Sequence, residues 1–205
     1  MNIESNKGLS KQSEEIEILK NSIFVNDELA NLKKITDIDN CIEKAFDDLV
    51  VCSANDSHVS EIAELWANLA CVQQIFAPER YNFVTEGKDW QSFVRKKLSK
   101  KNNLLLVAYK NGHSEIKGFL YLQTVTLPSS DLILKGIIED IYTKPQHRKQ
   151  GIAFRLLDVA LDWASNQNIK QVSLISLTRT SDLSSFYSKV LKKIKKNLNL
   201  ELLTF

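Results

Sequence analysis

Hydrophobic and polar positions along the chain fall into two regimes. From Glu14 to Ile35, Ile16, Leu19, Ile23, Leu29 and Leu32 recur at helix-like intervals among Lys, Glu and Asn, and Ile38–Phe46 continues in the same manner. This spacing predicts one or two amphipathic helices, which persist only when docked, because an isolated helix is marginal in water. We therefore read residues 1–47 as a helical extension, a packing or dimerising appendage, and residues 48–205 as the main domain.

From Leu49 the pattern becomes a mixture of strands and helices. Leu49–Cys52 reads as a short strand, and Asn55 or Asp56 caps a helix with Val59, Ile62, Leu65, Trp66 and Leu69 on one stripe. A second helix follows Gly87, with Trp90, Phe93, Val94 and Leu98 inward and Lys96, Lys97, Lys100 and Lys101 on a solvated face. A strand from Leu104 to Tyr109 turns at Asn111-Gly112, a hairpin-favouring dipeptide, into a strand from Ile116 to Leu127. The Pro128–Asp131 turn leads to a third, from Leu132 to Thr143. A helix from about Lys149 to Asn166 buries Ile152, Leu156, Val159, Ala160 and Trp163. The strand Ile169–Leu177, a helix near Leu183–Lys189 and a final strand near Leu198–Phe205 complete the chain. Hairpin-linked strands followed by a strand–helix–strand crossover make an α+β fold, with a mixed, mostly antiparallel sheet containing a central parallel pair and flanked by helices.

Composition narrows the class. With 205 residues, 43% hydrophobic and 25% charged, the chain is ordinary globular material, large enough to fold without disulfide or metal. A formal charge of +2 gives no electrostatic case for nucleic-acid binding. Cys41, Cys52 and Cys71 form neither a zinc spacing nor a disulfide framework, which predicts no metal and a reducing, cytoplasmic setting. Met1–Lys20 has no signal-peptide core and no stretch is apolar enough for a membrane span, so no membrane partner is expected.

Candidate chemistry concentrates in Ile138–Ala153. A strand carrying Glu139-Asp140 runs into a turn at Pro145, and a helix opens at Arg148-x-x-Gly151-x-Ala153. A helix N-terminus offers unpaired amides and a positive dipole end, Gly151 lets an anion approach the backbone, and Arg148 adds a fixed charge. These features describe a pyrophosphate cradle that is neither a P-loop nor a dinucleotide fingerprint. Strand alternation sends Glu139 and Asp140 to opposite faces, so one of them faces the cleft, and Glu139 is our choice.

This strand, the R-x-x-G-x-A turn, the helix and strand after it, and a Tyr on the following helix together resemble the GNAT family of acetyl-CoA-dependent N-acetyltransferases over residues 49–205. The Glu139–Pro145 stretch is similar to its diamine (spermidine/spermine-type) branch. The resemblance implies a GNAT-like acyl-CoA N-acyltransferase fold and direct attack of an amine on the thioester in a ternary complex. It implies that the backbone of Ile141, Tyr142 and Thr143 pairs with the pantetheine arm. Arg148, Lys149, Gln150, Gly151, Ile152 and Ala153 hold the pyrophosphate, with acetyl-CoA as the co-substrate. Tyr187 is then the general acid near the sulfur, and Glu139 the carboxylate turned toward the acceptor.

The residue types suit that chemistry. An alkylammonium of pKa about 10.4 must lose its proton before attack, at a cost of about 4.6 kcal/mol at pH 7. A positioned carboxylate recovers part of it. Tyr187 can hydrogen-bond the developing thiolate as well as protonate it, since full transfer is uphill by about 2 kcal/mol.

The chain departs from the family pattern where Thr180 replaces a cofactor-contacting Asn and where Ser188–Lys192 replaces a small-Gly-Phe segment, leaving residues 189–196 open between helix and strand. Lys189, Lys192, Lys193, Lys195 and Lys196 read as a solvated edge, with contact to the CoA 3′-phosphate as the alternative. The acceptor implied is a small, polyamine-like primary amine, with a protein N-terminus or lysine as the second reading and a non-catalytic CoA- or partner-binding module as the rival. Acceptor contacts are expected around Trp66, Gln73, Gln74, Glu79, Arg80 and Tyr81.

Overall fold

The computed structural model describes residues 42–78, 89–127, 133–176, 186, 190 and 198–204. These residues build one seven-stranded sheet in the order β1–β2–β3–β4–β5–β6–β7. The strands are β1 Glu43–Phe46, β2 Leu49–Ser53, β3 Leu104–Lys110, β4 Ile116–Leu127, β5 Ile133–Thr143, β6 Gln171–Ser176 and β7 Asn199–Thr204. The helices are α1 Val59–Phe76, α2 Trp90–Leu98 and α3 Ile152–Asn166, with 3-10 turns at Asp56–His58 and Pro145–His147.

Neighbouring strands from β1 to β5 pair antiparallel. Parallel pairing covers both β5–β6 and β6–β7, so the sheet has two parallel ladders at one side where the hydrophobic pattern suggested one central pair. The α3 crossover supplies the length that a β5–β6 parallel connection needs. Residues 43–46 are a second departure. Their apolar spacing continues a helix-like series, yet they form β1, paired from Glu43↔Cys52 to Phe46↔Leu49. The tight turn between β1 and β2 puts Asp47 at φ 52°, and the sheet therefore starts before the boundary expected at residue 48. The rest of the expected extension, and the turn at 128–131, lie outside the described residues.

Each sheet face carries its own core. On one face, Ile152, Leu156, Leu157, Val159, Ala160, Trp163 and Ala164 of α3 pack on Val51, Leu104, Leu106, Leu120, Leu122 and Ile138. On the other, Val59, Ile62, Leu65 and Trp66 of α1 and Val94 of α2 pack on Leu105, Val107, Phe119, Tyr121 and Tyr142. This explains the unbroken apolar run of β3: a central strand covered on both faces has no solvent side on which to alternate. Asn55 Oδ1 accepts from the Ser57 amide at 3.0 Å, and the Asn55 amide donates to His58 Nδ1 at 3.1 Å, which fixes the entry to α1.

Gly118 sets how closely β4, β5 and α3 approach. A Cβ there would lie 2.6 Å from the Tyr142 carbonyl oxygen and 3.2 Å from Ile152 Cγ2. The absent side chain lets the first turn of α3 settle over the end of β5.

Candidate active site where two strands part

The site begins with one irregularity in β5. On the β4 side, Tyr121 pairs with Asp140 and Leu122 with Ile138, so Glu139 is an extra residue, a β-bulge. On the β6 side, pairing runs from Lys135↔Gln171 to Ile138↔Leu174 and stops there. Strand β6 continues against β7 to Ser176↔Thr204, while β5 continues against β4 to Thr143↔Gly118. The two strands thus part at the bulge, and among the described residues no strand pairs with the β6-facing edge of Glu139–Thr143.

The bulge also redirects side chains. Ile138 belongs to the α3-side core and Ile141 packs against it, whereas Tyr142 lies in the α1/α2-side core. Between them, Glu139 and Asp140 both reach the α1/α2 side, where alternation predicted opposite faces. Asp140 Oδ2 accepts from Trp66 Nε1 at 3.0 Å and Oδ1 from Gln73 Nε2 at 3.1 Å, both on α1. Glu139 Oε2 accepts from Lys97 Nζ of α2 at 2.9 Å. Burial, with the Glu139 charge beside it, pushes the Asp140 carboxyl up to about 6, although the hydrogen bonds from Gln73 and Trp66 and the Lys97 charge hold it down.

Lys97 overturns part of the solvated-face reading of α2. Lys96, Lys100 and Lys101 are exposed, but the Lys97 side chain is only 18% exposed. Its ammonium stands 4.2 Å from the Tyr121 ring centroid and 5.4 Å from that of Phe93. The sequence held the signal: Lys97 is three, four and seven residues beyond Val94, Phe93 and Trp90, on the same helical stripe. Tyr121 is fully buried, and its hydroxyl accepts from Asn103 Nδ2 at 2.6 Å. Burial, with the charges of Glu139 and Asp140, drives its pKa far above the ordinary tyrosine value.

Beyond β5, the chain folds through Pro145–His147 and reaches the start of α3. Lys149 (φ 63°) and Gly151 (φ 81°) are left-handed, and Gly151 is the residue before the first helical turn. Nothing lies within 4 Å of where a Gly151 Cβ would stand, so the backbone faces open space. The Arg155 amide closes the first helical bond on the Gly151 carbonyl at 3.0 Å. The amides of Ile152 and Ala153 precede that bond, at the end of the helix where backbone donors point outward. Arg148 is exposed, and its Nε donates to the Thr143 carbonyl at 3.3 Å, while Gln150 Nε2 donates to that of Gln146 at 3.3 Å. Thr143 Oγ1 is enclosed without a hydrogen-bond partner at the open edge of β5.

An ion-pair knot anchors this end of β5. Lys144 Nζ lies 2.9 Å from both Glu61 and Glu115. Burial works against its charge, but the hydrogen bonds to Glu115 and Glu61 prevail and raise its pKa. Of the other sequence-predicted site residues, Gln74 is partly buried on α1. Glu79, Arg80, Tyr81, Thr180 and Tyr187 lie outside the described residues, as do Lys189, Lys192, Lys193, Lys195 and Lys196.

An open strand edge, an orphaned hydroxyl and a left-handed glycine opening a helix toward free space fit a long anionic co-substrate with an amide-bearing arm. The family model described as "Acetyltransferase (GNAT) family" matches residues 69–190, more than half of the chain. Among solved structures, the fold is similar to a transcriptional regulator from Bacillus halodurans C-125, at 19% identity and TM-score 0.56, covering 72% of this chain and 93% of that one. It is also similar to an acetyltransferase from Trypanosoma brucei (16% identity, TM-score 0.54, 70% and 91% covered). A third is a ribosomal-protein-alanine N-acetyltransferase from Brucella melitensis biovar Abortus 2308 (21% identity, TM-score 0.50, 69% and 90% covered). No curated protein matches the chain. Among the described residues no helix is long and apolar enough to cross a membrane. The match over residues 69–190, on a sheet that opens at its β5–β6 seam, identifies the chain as a member of the GNAT family, an acetyl-CoA-dependent N-acetyltransferase.

Proposed function

We propose that this enzyme acetylates a primary amine, a small polyamine-like one first, and that the Glu139–Asp140 pair receives the proton the amine must lose. The observation that carries the reading is the bulge at Glu139, which turns both carboxylates to one side of the sheet at the point where β5 and β6 part. Two adjacent carboxylates beside aromatic rings suit a cationic amine. An ammonium of ordinary pKa passes its proton to a carboxyl at about 6 against about 6 kcal/mol, compared with about 9 kcal/mol for an unperturbed Asp. Asp140 is therefore a better base than an ordinary Asp by energy, while Glu139 lies nearer the seam.

The co-substrate supplies the activated acetyl group. In this reading, the free edge of Ile141, Tyr142 and Thr143 holds its pantetheine arm as an added strand would. The amides of Gly151, Ile152 and Ala153, with Arg148, Lys149 and Gln150, hold its pyrophosphate. Tyr187 and Thr180 keep the roles that the family resemblance implies for them. We also propose a cytoplasmic setting, since Cys52 and Cys71 are thiols not joined in a disulfide.

The test is thiol release from acetyl-CoA with spermidine, free lysine and a peptide bearing a free N-terminus as acceptors. Spermidine turnover that falls at least tenfold in Glu139→Gln or Asp140→Asn, with acetyl-CoA affinity kept, supports the reading. Turnover unchanged in both variants overturns it, and preference for the peptide moves the acceptor to a protein N-terminus.

A further inference from the structure

The acceptor side of the site already contains a primary amine. We propose that the Lys97 ammonium is a resident stand-in for the acceptor: it occupies the place between Glu139 and the Tyr121 ring, and the substrate's ammonium must displace it. The inference deepens the reading of the Glu139–Asp140 pair as the acceptor site and rests on it.

Three observations support the assignment. The Lys97 Nζ contacts are those by which proteins select an alkylammonium, namely a carboxylate at 2.9 Å and an aromatic face at 4.2 Å, with a second ring at 5.4 Å. The place is shielded, since the Lys97 and Glu139 side chains are 18% and 27% exposed. Its carboxylate is also the bulge residue at the parting of β5 and β6, so the tethered amine stands beside the opening the acetyl donor is proposed to fill.

Lys97 also has somewhere to go. Lys96 on α2 and Lys100 and Lys101 just beyond its end are exposed, and a lysine stem swings readily from a partly buried to a solvated rotamer. A cationic acceptor that takes over Glu139 exchanges one ion pair for another, whereas a neutral ligand cannot offset the loss of the Lys97 pair. Lys97 thus sets a threshold that favours primary alkylammonium acceptors, and it acts as a specificity-determining residue without touching the transferred group.

Spermidine binding, read by calorimetry on the full chain with CoA present so that no acetyl is transferred, separates this from a purely structural ion pair. Lys97→Met keeps the stem and removes the competitor, and we expect it to bind spermidine about tenfold more tightly than the parent, equivalent to about 1.4 kcal/mol. Lys96→Met removes the same charge one residue away and is expected to leave the affinity unchanged, and Lys97→Arg to bind no more tightly than the parent. The gain should vanish in Lys97→Met combined with Glu139→Gln. Binding by Lys97→Met that is absent or no tighter than the parent overturns the inference, and so does an equal gain in Lys96→Met. Because this experiment reads binding and the experiment on the carboxylate pair reads turnover, either can fail alone.

Discussion

Trp66 Nε1 donates a 3.0 Å hydrogen bond to Asp140 Oδ2, joining helix α1 to the strand that opens the site. Trp66 is itself fully packed, in contact with Phe93, Phe119 and Tyr121, so the donor is held by the core and in turn holds the carboxylate. Trp66→Phe preserves most of the packing and deletes the donor. We expect a stability loss of about 1–3 kcal/mol, the cost of leaving a buried acceptor short of a partner. We also expect the acid limb of the kcat/KM profile to move to higher pH, because the lost hydrogen bond favoured the ionised form. A limb that stays in place would exclude Asp140 as the group that sets it.

Asp140 also gives stability an unusual pH dependence. Its carboxyl is raised to about 6, so between about pH 4 and 6 the folded protein keeps a proton that the unfolded chain has released. That contribution makes the fold less stable as pH rises through this window, with the full penalty present above about pH 6. Glu115 acts in the opposite sense: its hydrogen bond and ion pair with Lys144 lower its pKa, so its contribution is lost on acidification. The comparison must therefore be between wild type and Asp140→Asn. We expect the variant to gain stability relative to wild type on going from pH 4.5 to pH 7.5, measured by urea unfolding at each pH.

Gly118→Ala tests the close approach beneath the site. Its Cβ would meet a backbone carbonyl at 2.6 Å, and that atom cannot rotate away. A shift of β4 against β5 at a cost of about 1–3 kcal/mol is the expected response. Acetyl-CoA affinity should fall with it, because the start of α3 rests on the same point. Thermal unfolding with and without acetyl-CoA reads both effects.

Gly151→Ala gives a contrasting result. No atom stands within 4 Å of the added Cβ, so only the left-handed backbone at φ 81° resists it. The expected loss is about 1–2 kcal/mol in thermal unfolding. Asn, which tolerates this conformation, should restore part of it.

Much of this architecture is legible in the sequence because its signals are local. The apolar run of β3, the Ile152–Trp163 stripe of α3 and the Asn55 cap each depend on residues a few positions apart, and so does the Arg148-x-x-Gly151-x-Ala153 turn. The bulge at Glu139 depends on how β5 registers against β4, and no pattern within β5 reveals it. Strict alternation therefore separated two carboxylates that the sheet brings together. Lys97 departs from expectation for a different reason: its charge suggests solvent, although its place on the Trp90–Phe93–Val94 stripe points inward. Strand β1 shows the same competition, with a helix-like apolar spacing yielding to pairing with β2. The parallel β6–β7 ladder is a tertiary outcome that the apolar pattern does not encode.

The most direct test of the account is thermal unfolding of the full chain with and without acetyl-CoA, beside Arg148→Ala combined with Gly151→Glu. Acetyl-CoA at about 100 times its Kd stabilises a protein by about 2.7 kcal/mol. For a domain of this size that is a rise in Tm of about 5–10 °C. The account predicts that rise in the parent and its loss in the double variant. A parent that does not respond, or a double variant that responds equally, would contradict the placement of the co-substrate between the parted β5 edge and the start of α3.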